Sequence, residues 1–297
     1  MSSPSNGKPV PRNDPEDIAF LPPGIRLGDI VPRIPLDPTE TRILTGHALG
    51  LSRIQLITQS ERELTDEESK RVSMCLHRRM QGEPVAYIVG EREFFGLPFQ
   101  VTPDVLIPRP ETELLVELGL ERLPKNGNVL DLGTGSGAVA IAIAHERPDA
   151  RVTAVDISAA ALAVARANAE RNLEHHERVV FRQGSWYAAL EASSRFDLIV
   201  SNPPYIAGGD RHLSLGDLRF EPPDALTDHA DGLSAIRSIA AGAVPHLKAG
   251  GWLLIEHGYD QASAVRAILA RHGMGSVQSW RDLAGIERVT GAIISAD

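Results

Sequence analysis

The sequence has a single cysteine, Cys75, so it can form neither an intramolecular disulfide nor a thiolate metal cluster. It has no apolar run near the roughly 18–20 residues that cross a bilayer. Its opening stretch, "MSSPSNGKPVPRNDPEDIAFLPPG", lacks the apolar centre of a signal peptide, and its acidic residues argue against an organelle transit peptide. A cytoplasmic protein with no membrane partner is the expectation. Positive charge is also short: 30 Lys and Arg stand against 39 Asp and Glu, a net charge of -9. That balance leaves no overall cationic footprint for phosphate backbones, so no direct nucleic-acid partner is expected. The histidines, including His175-His176 and His257, lack the spacing of helical ligand pairs, and no metal site is expected. Apolar content is ample, at 42% of 297 residues, for one large core and a smaller one.

The polar, proline-rich residues 1–24 read as a disordered tail. Residues 25–84 carry apolar positions at three- and four-residue spacing in "PTETRILTGHALGL" and "TDEESKRVSMCLHRRMQ", which predicts a small helical domain with Thr65 as an N-cap. Residues 85–110, "VAYIVGEREFFGLPFQVTPDVLIPRP", are rich in β-branched and aromatic residues broken by Gly96 and Pro98, and predict a β-hairpin linker. From 111 to 297 apolar strand patterns alternate with amphipathic helices, as in "NVLDLG", "AVAIAIAHERP" and "RVTAVDI". That rhythm predicts an α/β fold with a parallel sheet covered on both faces.

In "VLDLGTGSGAVAIAIA" three glycines, Gly133, Gly135 and Gly137, separate a strand from a helix. Glycine there permits a tight turn and close approach of a ligand to the backbone, and the helix start offers free N–H groups. Asp156 ends the next strand, where a carboxylate can accept from ribose hydroxyls. The pair selects a nucleoside-containing cofactor. It does not choose between a nicotinamide dinucleotide and S-adenosylmethionine, because Gly133, Gly135 and Ala138 also fit G-x-G-x-x-A. Asp131 tilts the choice, since "DLGTGSG" is similar to the loop of class I methyltransferases; its plainer reading is a cap on the following turn. Trp186, just past the third predicted strand, is placed either to stack on an adenine or to fill the core.

The fourth strand, "FDLIVS", runs into Asn202-Pro203-Pro204-Tyr205. Two prolines hold the chain extended and cannot donate, so the Asn202 side-chain oxygen and the Pro203 carbonyl are left as two acceptors. Both hydrogens of one planar NH2 group, on an amide, an adenine or a cytosine, fit such a pair. The grip orients a poorly nucleophilic nitrogen and favours the positive charge that grows on it during methyl transfer. Tyr205 supplies a flat wall. The bland reading is a strand terminator.

With those residues in place, the chain resembles the glutamine methyltransferases that act on the Gly-Gly-Gln motif of bacterial peptide-chain release factors. Beyond the two motifs, the resemblance rests on "GEPVAYIVGEREFFGLPFQVTPDVLIPRPETELLVE", Phe220-Glu221-Pro222, Asp231-Gly232-Leu233, Glu256-His257-Gly258 and Glu287-Arg288-Val289. It implies a seven-stranded, Rossmann-like methyltransferase domain behind a helical domain that helps recognise the release factor; separately, a monomer is the expectation. It further implies that Gly133, Thr134, Gly135, Ser136, Gly137, Asp156, Trp186 and Asn202 hold S-adenosylmethionine, with S-adenosylhomocysteine as product. Asn202, Pro203, Pro204 and Tyr205 would hold the glutamine, with Asn202, Pro203 and Tyr205 catalytic and Arg109 and Glu111 beside the substrate. Pro110 and Glu111 read equally well as an ordinary helix start. Ser185 departs from the many members that carry an acid before the aromatic. Two other targets share the planar nitrogen: a glutamine of a large-subunit ribosomal protein, and the adenine amino group of a nucleic acid, flipped from its stack.

Overall fold

The computed structural model describes residues 21–295, which fall into two compact units divided after Val89. The first unit is helical: α1 (Leu27–Arg33), α2 (Pro38–Leu49), α3 (Arg53–Thr58), α4 (Asp66–Met80) and α5 (Val85–Val89). Local chemistry sets their ends. Asp37 caps α2 by accepting from the Thr39 and Glu40 N–H groups at 2.7 and 3.1 Å. Thr65 and Glu68 form a reciprocal capping box on α4. Leu27, Ile30, Leu44, Val72 and Leu76 meet in the core of the unit.

Two sequence expectations need correction here. Residues 21–24 are not tail: Leu21 is buried in that core and its N–H donates to Ser73 Oγ. Residues 1–20 lie outside the described residues. The expected hairpin does not begin at 85 either, because Val85–Val89 is a helical turn started by Pro84, whose carbonyl accepts from the Tyr87 and Ile88 N–H groups. Its β-branched residues reflect burial against α2 and α4 rather than strand pairing, since Ile88 belongs to the helical core.

The second unit opens with the hairpin β1 (Glu91–Phe94) and β2 (Leu97–Gln100), turned by Phe95 and Gly96 at φ 51° and 76°. An extended stretch and a 3-10 turn, Pro110–Thr112, lead into α6 (Glu113–Arg122). Then follow β3 (Asn128–Leu132), α7 (Ala138–Glu146), β4 (Arg151–Asp156), α8 (Ala159–Asn172), β5 (Val179–Gln183) and β6 (Phe196–Ser201). The remainder is α9 (Pro223–Leu226), α10 (Ser234–His246), β7 (Leu247–Glu256), α11 (Ala262–Arg271), β8 (Gly275–Arg281) and β9 (Glu287–Ile293).

Seven strands form one sheet in the order β5-β4-β3-β6-β7-β9-β8, parallel except for β9, which is antiparallel to both neighbours. The central strands are apolar runs because helices cover both faces, and α7 is buried from Ala138 to Ala144. The chain leaves β3 toward one edge and returns through β6 toward the other. Loops at such a reversal diverge and leave a crevice at the carboxyl ends of the strands. Asp131 and the glycine loop lie on one side of that crevice, and Asn202 on the other.

Candidate active site

A cavity of about 320 Å³ occupies this crevice, walled by Gly133, Thr134, Gly135, Ser136, Asp156, Trp186, Asn202, Pro204 and Arg109, among others. The glycine loop is held rigidly around it. Gly133 and Thr134 N–H groups donate to the Val155 carbonyl at 2.8 and 3.0 Å, and the buried Asn168 amide holds the Ser136 carbonyl at 2.9 Å. Gly137 starts α7 at φ 83°, where a Cβ would come within 2.7 Å of Ile141 Cδ1. Asp156 accepts from Gly135 N–H at 2.8 Å and from Ser158 N–H at 2.9 Å, so its carboxylate is fixed before any ligand arrives. Trp186 takes φ 48°, an unusual backbone state for a bulky residue, and its ring covers Gly133: a Cβ on that glycine would lie 3.5 Å from Trp186 Cζ3.

Asp131 acts as the cap on the following turn that its sequence position offers. Its carboxyl walls the cavity, and it also accepts from Thr134 Oγ1 at 2.7 Å and from the Ala140 N–H in the first turn of α7. Burial pushes its pKa up to about 7, against those hydrogen bonds. Burial raises Asp156 as well. Asp104, Asp131, Asp156 and Asp224 all wall the cavity, whereas Arg109, the one Arg among the described wall residues, is already paired with Glu221. A cationic ligand suits this lining. A pyrophosphate does not, since Asp131 has taken an α7 amide that would serve it.

Of the expected acceptor pair, Asn202 walls the cavity and Pro203 does not. Asn202 Nδ2 donates to Thr112 Oγ1 at 3.1 Å, and no described residue donates to Asn202 Oδ1 or to the Pro203 carbonyl. Pro203 is buried and Tyr205 half-buried, and neither walls the cavity itself. The Tyr205 hydroxyl faces Glu256 Oε1 at 3.5 Å, and burial drives its pKa up. Glu111 is exposed and outside the cavity walls, although its charge reaches Tyr205 and Glu256.

Three residues that hold the site had no role assigned from sequence. Glu221, 3% exposed, accepts from the Ile107 N–H at 3.0 Å and pairs with Arg109, pinning the segment before α6. Gln261 Nε2 donates to the Tyr205 carbonyl at 2.9 Å and the Gly232 carbonyl at 3.2 Å, fixing the exit from the proline pair. Glu256, 1% exposed, has its pKa pushed up to about 7 by burial, with Thr112, Arg288 and Tyr205 opposing and Glu111 assisting. Short quoted motifs contain Glu221 and Glu256, but nothing in the sequence says which distant atoms they meet.

The raised carboxyls set a pH dependence. A folded-state pKa near 7 exceeds the ordinary carboxylate value, so the folded protein keeps protons that the unfolded chain releases. Stability contributed by Asp131 and Glu256 therefore falls as pH rises from about 4 toward 7. Denaturant titrations at about pH 5 and pH 8 should show a smaller loss for Glu256→Gln than for the parent protein. Equal losses would contradict the assignment for Glu256.

The methyltransferase small domain family model matches residues 110–222, and the PrmC N-terminal domain model matches residues 32–90. Curated relatives include the release factor glutamine methyltransferase of Neisseria gonorrhoeae, 55% identical over 86% of this chain and 93% of the relative. The protein of the same name from Burkholderia pseudomallei is 53% identical over 86% and 92%. Among solved structures, a methyltransferase from Pyrococcus furiosus superposes with a TM-score of 0.53 at 21% identity, covering 75% of this chain and 99% of that one, a likeness of fold.

Proposed function

The chain belongs to the release factor glutamine methyltransferase family, and from that premise we propose that it methylates the side-chain amide nitrogen of the Gly-Gly-Gln glutamine in peptide chain release factors, using S-adenosylmethionine. The observation that carries the reading is Asn202 on the wall of a carboxylate-lined cavity, with neither its Oδ1 nor the adjoining Pro203 carbonyl taking a hydrogen bond from a described residue.

The lining fits this cofactor. Its sulfonium and ammonium groups are cationic, matching Asp131 and the neighbouring acids, and Asp156 is fixed where it can accept from ribose hydroxyls. Gly133 to Gly137 would pass beneath it, and Trp186 would cover it. When bound, the cofactor supplies an electrophilic methyl group on sulfur.

The protein's part is orientation and electrostatics. Asn202 Oδ1 and the Pro203 carbonyl accept the two hydrogens of the glutamine NH2, which turns the nitrogen's lone pair out of the plane they define. Positive charge grows on that nitrogen as it gains the methyl, and two aligned acceptors stabilise it. The methylated nitrogen is then acidic enough to release one proton to solvent without a strong base. Pro204 and Arg109, the latter held by Glu221, wall the cavity beside Asn202, and Tyr205 would bound the planar amide from just outside that wall.

The test is a competition for labelled methyl groups. Purified release factor, large-subunit ribosomal proteins, DNA and RNA are offered separately to the enzyme with S-adenosylmethionine. Label is expected on the release factor and lost when its Gly-Gly-Gln glutamine is replaced. Preferential label on a ribosomal protein or a nucleic acid would overturn the proposal.

A further inference from the structure

The amide of Asn202 is useful in one orientation. Its oxygen must face the substrate, and a flipped amide would present hydrogens to hydrogens. An asparagine beside a hydroxyl is not oriented by that contact alone, because a hydroxyl both donates and accepts. Something must fix the direction of the Thr112 hydroxyl.

Thr112 is 4% exposed and stands at the start of α6, where Asn202 Nδ2 lies 3.1 Å from its Oγ1. Glu256, at the end of β7, lies close enough for Thr112 hydrogen bonding to favour its ionised carboxyl. Glu256 is 1% exposed; its Oε1 faces the Tyr205 hydroxyl at 3.5 Å, and its Oε2 is buried without an aligned donor. A buried carboxyl left in that state calls for an explanation beyond packing.

We propose that Glu256 is a positioning residue: as an acceptor it commits the Thr112 hydroxyl to donate, which commits Thr112 to accept from Asn202 Nδ2 and turns Asn202 Oδ1 toward the substrate. The same carboxyl holds the Tyr205 hydroxyl, so both ends of the Asn202–Tyr205 segment are set by one group. This rests on the glutamine methyltransferase reading above. It adds that the orientation of the catalytic amide is written in Thr112 and Glu256, from two elements distant in sequence.

The polarity depends on charge. An ionised Glu256 can only accept; a protonated one can donate to Thr112 and reverse the chain of hydrogen bonds. The groups facing it are Tyr205 after β6, Thr112 and Glu111 at the start of α6, and Arg288 on β9. Methyl transfer should therefore rise with pH as Glu256 ionises.

Thr112→Val keeps the volume and removes the hydroxyl, Thr112→Ser keeps the hydroxyl, and Glu256→Gln leaves one acceptor where there were two. With saturating cofactor and release factor, kcat is expected to fall about 10²-fold for Thr112→Val and about tenfold for Glu256→Gln. Thr112→Ser should stay within about threefold of the parent, and cofactor Kd by calorimetry should move less than about twofold in all three. Glu256→Gln should also lose the rise of kcat with pH shown by the parent enzyme. A parent enzyme that fails to methylate release factor defeats the functional reading. An active parent with Thr112→Val or Glu256→Gln at parental kcat defeats the positioning proposal alone. Should Thr112→Val fail to fold by circular dichroism, the kcat and pH profile of Glu256→Gln decide.

Discussion

Asn202→Ala is expected to lower kcat by about 10²–10³-fold, the usual loss when one preorganised charge-stabilising contact is removed from a reacting group. The substitution deletes the side-chain acceptor and the donor that engages Thr112 Oγ1. It leaves the glycine loop untouched, with Asp156 still held by Gly135 N–H and Ser136 by Asn168. Cofactor affinity, to which Asn202 contributes from the cavity wall, should drop far less than kcat. Calorimetric titration with S-adenosylmethionine beside single-turnover methyl transfer separates the two. Equal losses in affinity and rate would mean that Asn202 serves the cofactor rather than the amide.

Gly232→Ala is expected to disable the same segment from outside. Gly232 has φ 77°, and an added Cβ would meet the Tyr205 carbonyl at 2.4 Å, Gln261 Nε2 at 2.9 Å and the Ala207 nitrogen at 3.2 Å. The left-handed backbone costs an alanine about 1–2 kcal/mol, and overpacking against a fixed carbonyl costs about 1–3 kcal/mol more. Relief comes by moving the Tyr205 backbone, which follows directly on Pro203 and Pro204. A loss of about 2–5 kcal/mol in stability and more than tenfold in kcat should appear together. Gly209→Ala, four residues past Tyr205, with no neighbour within 4 Å of its Cβ and no left-handed φ, is the control and should be near neutral. Parental stability in Gly232→Ala would show that this loop gives way freely.

What the sequence revealed follows the range over which its signals act. Thr65 and Glu68 are three residues apart and announce a capping box, and "NVLDLG" followed by "AVAIAIA" announces a buried strand and helix. That Gly133, Gly135, Asp156 and Asn202 share one crevice was legible because strand ends in a doubly wound sheet converge there. Val85–Val89 misled because β-branched residues serve a buried helical turn as well as a strand. Leu21 was missed because it follows a polar, proline-rich stretch and precedes Pro22-Pro23, and its hydrogen-bond partner Ser73 is distant in sequence. The supports of the site escaped for the same reason. Glu221 meets Arg109, Gln261 meets Tyr205 and Glu256 meets Thr112 across separations that no local pattern encodes.

The central claim is that Asn202 and Pro203 present a planar amide nitrogen for methylation, and the most direct measurement is where the methyl group lands. Release factor incubated with enzyme and S-adenosylmethionine is digested, and the Gly-Gly-Gln peptide is fragmented by tandem mass spectrometry. The account predicts one added methyl on the glutamine side-chain amide, present with the parent enzyme and nearly absent with Asn202→Ala. A methyl on a carboxylate, a hydroxyl or another residue, or undiminished modification by Asn202→Ala, would contradict it.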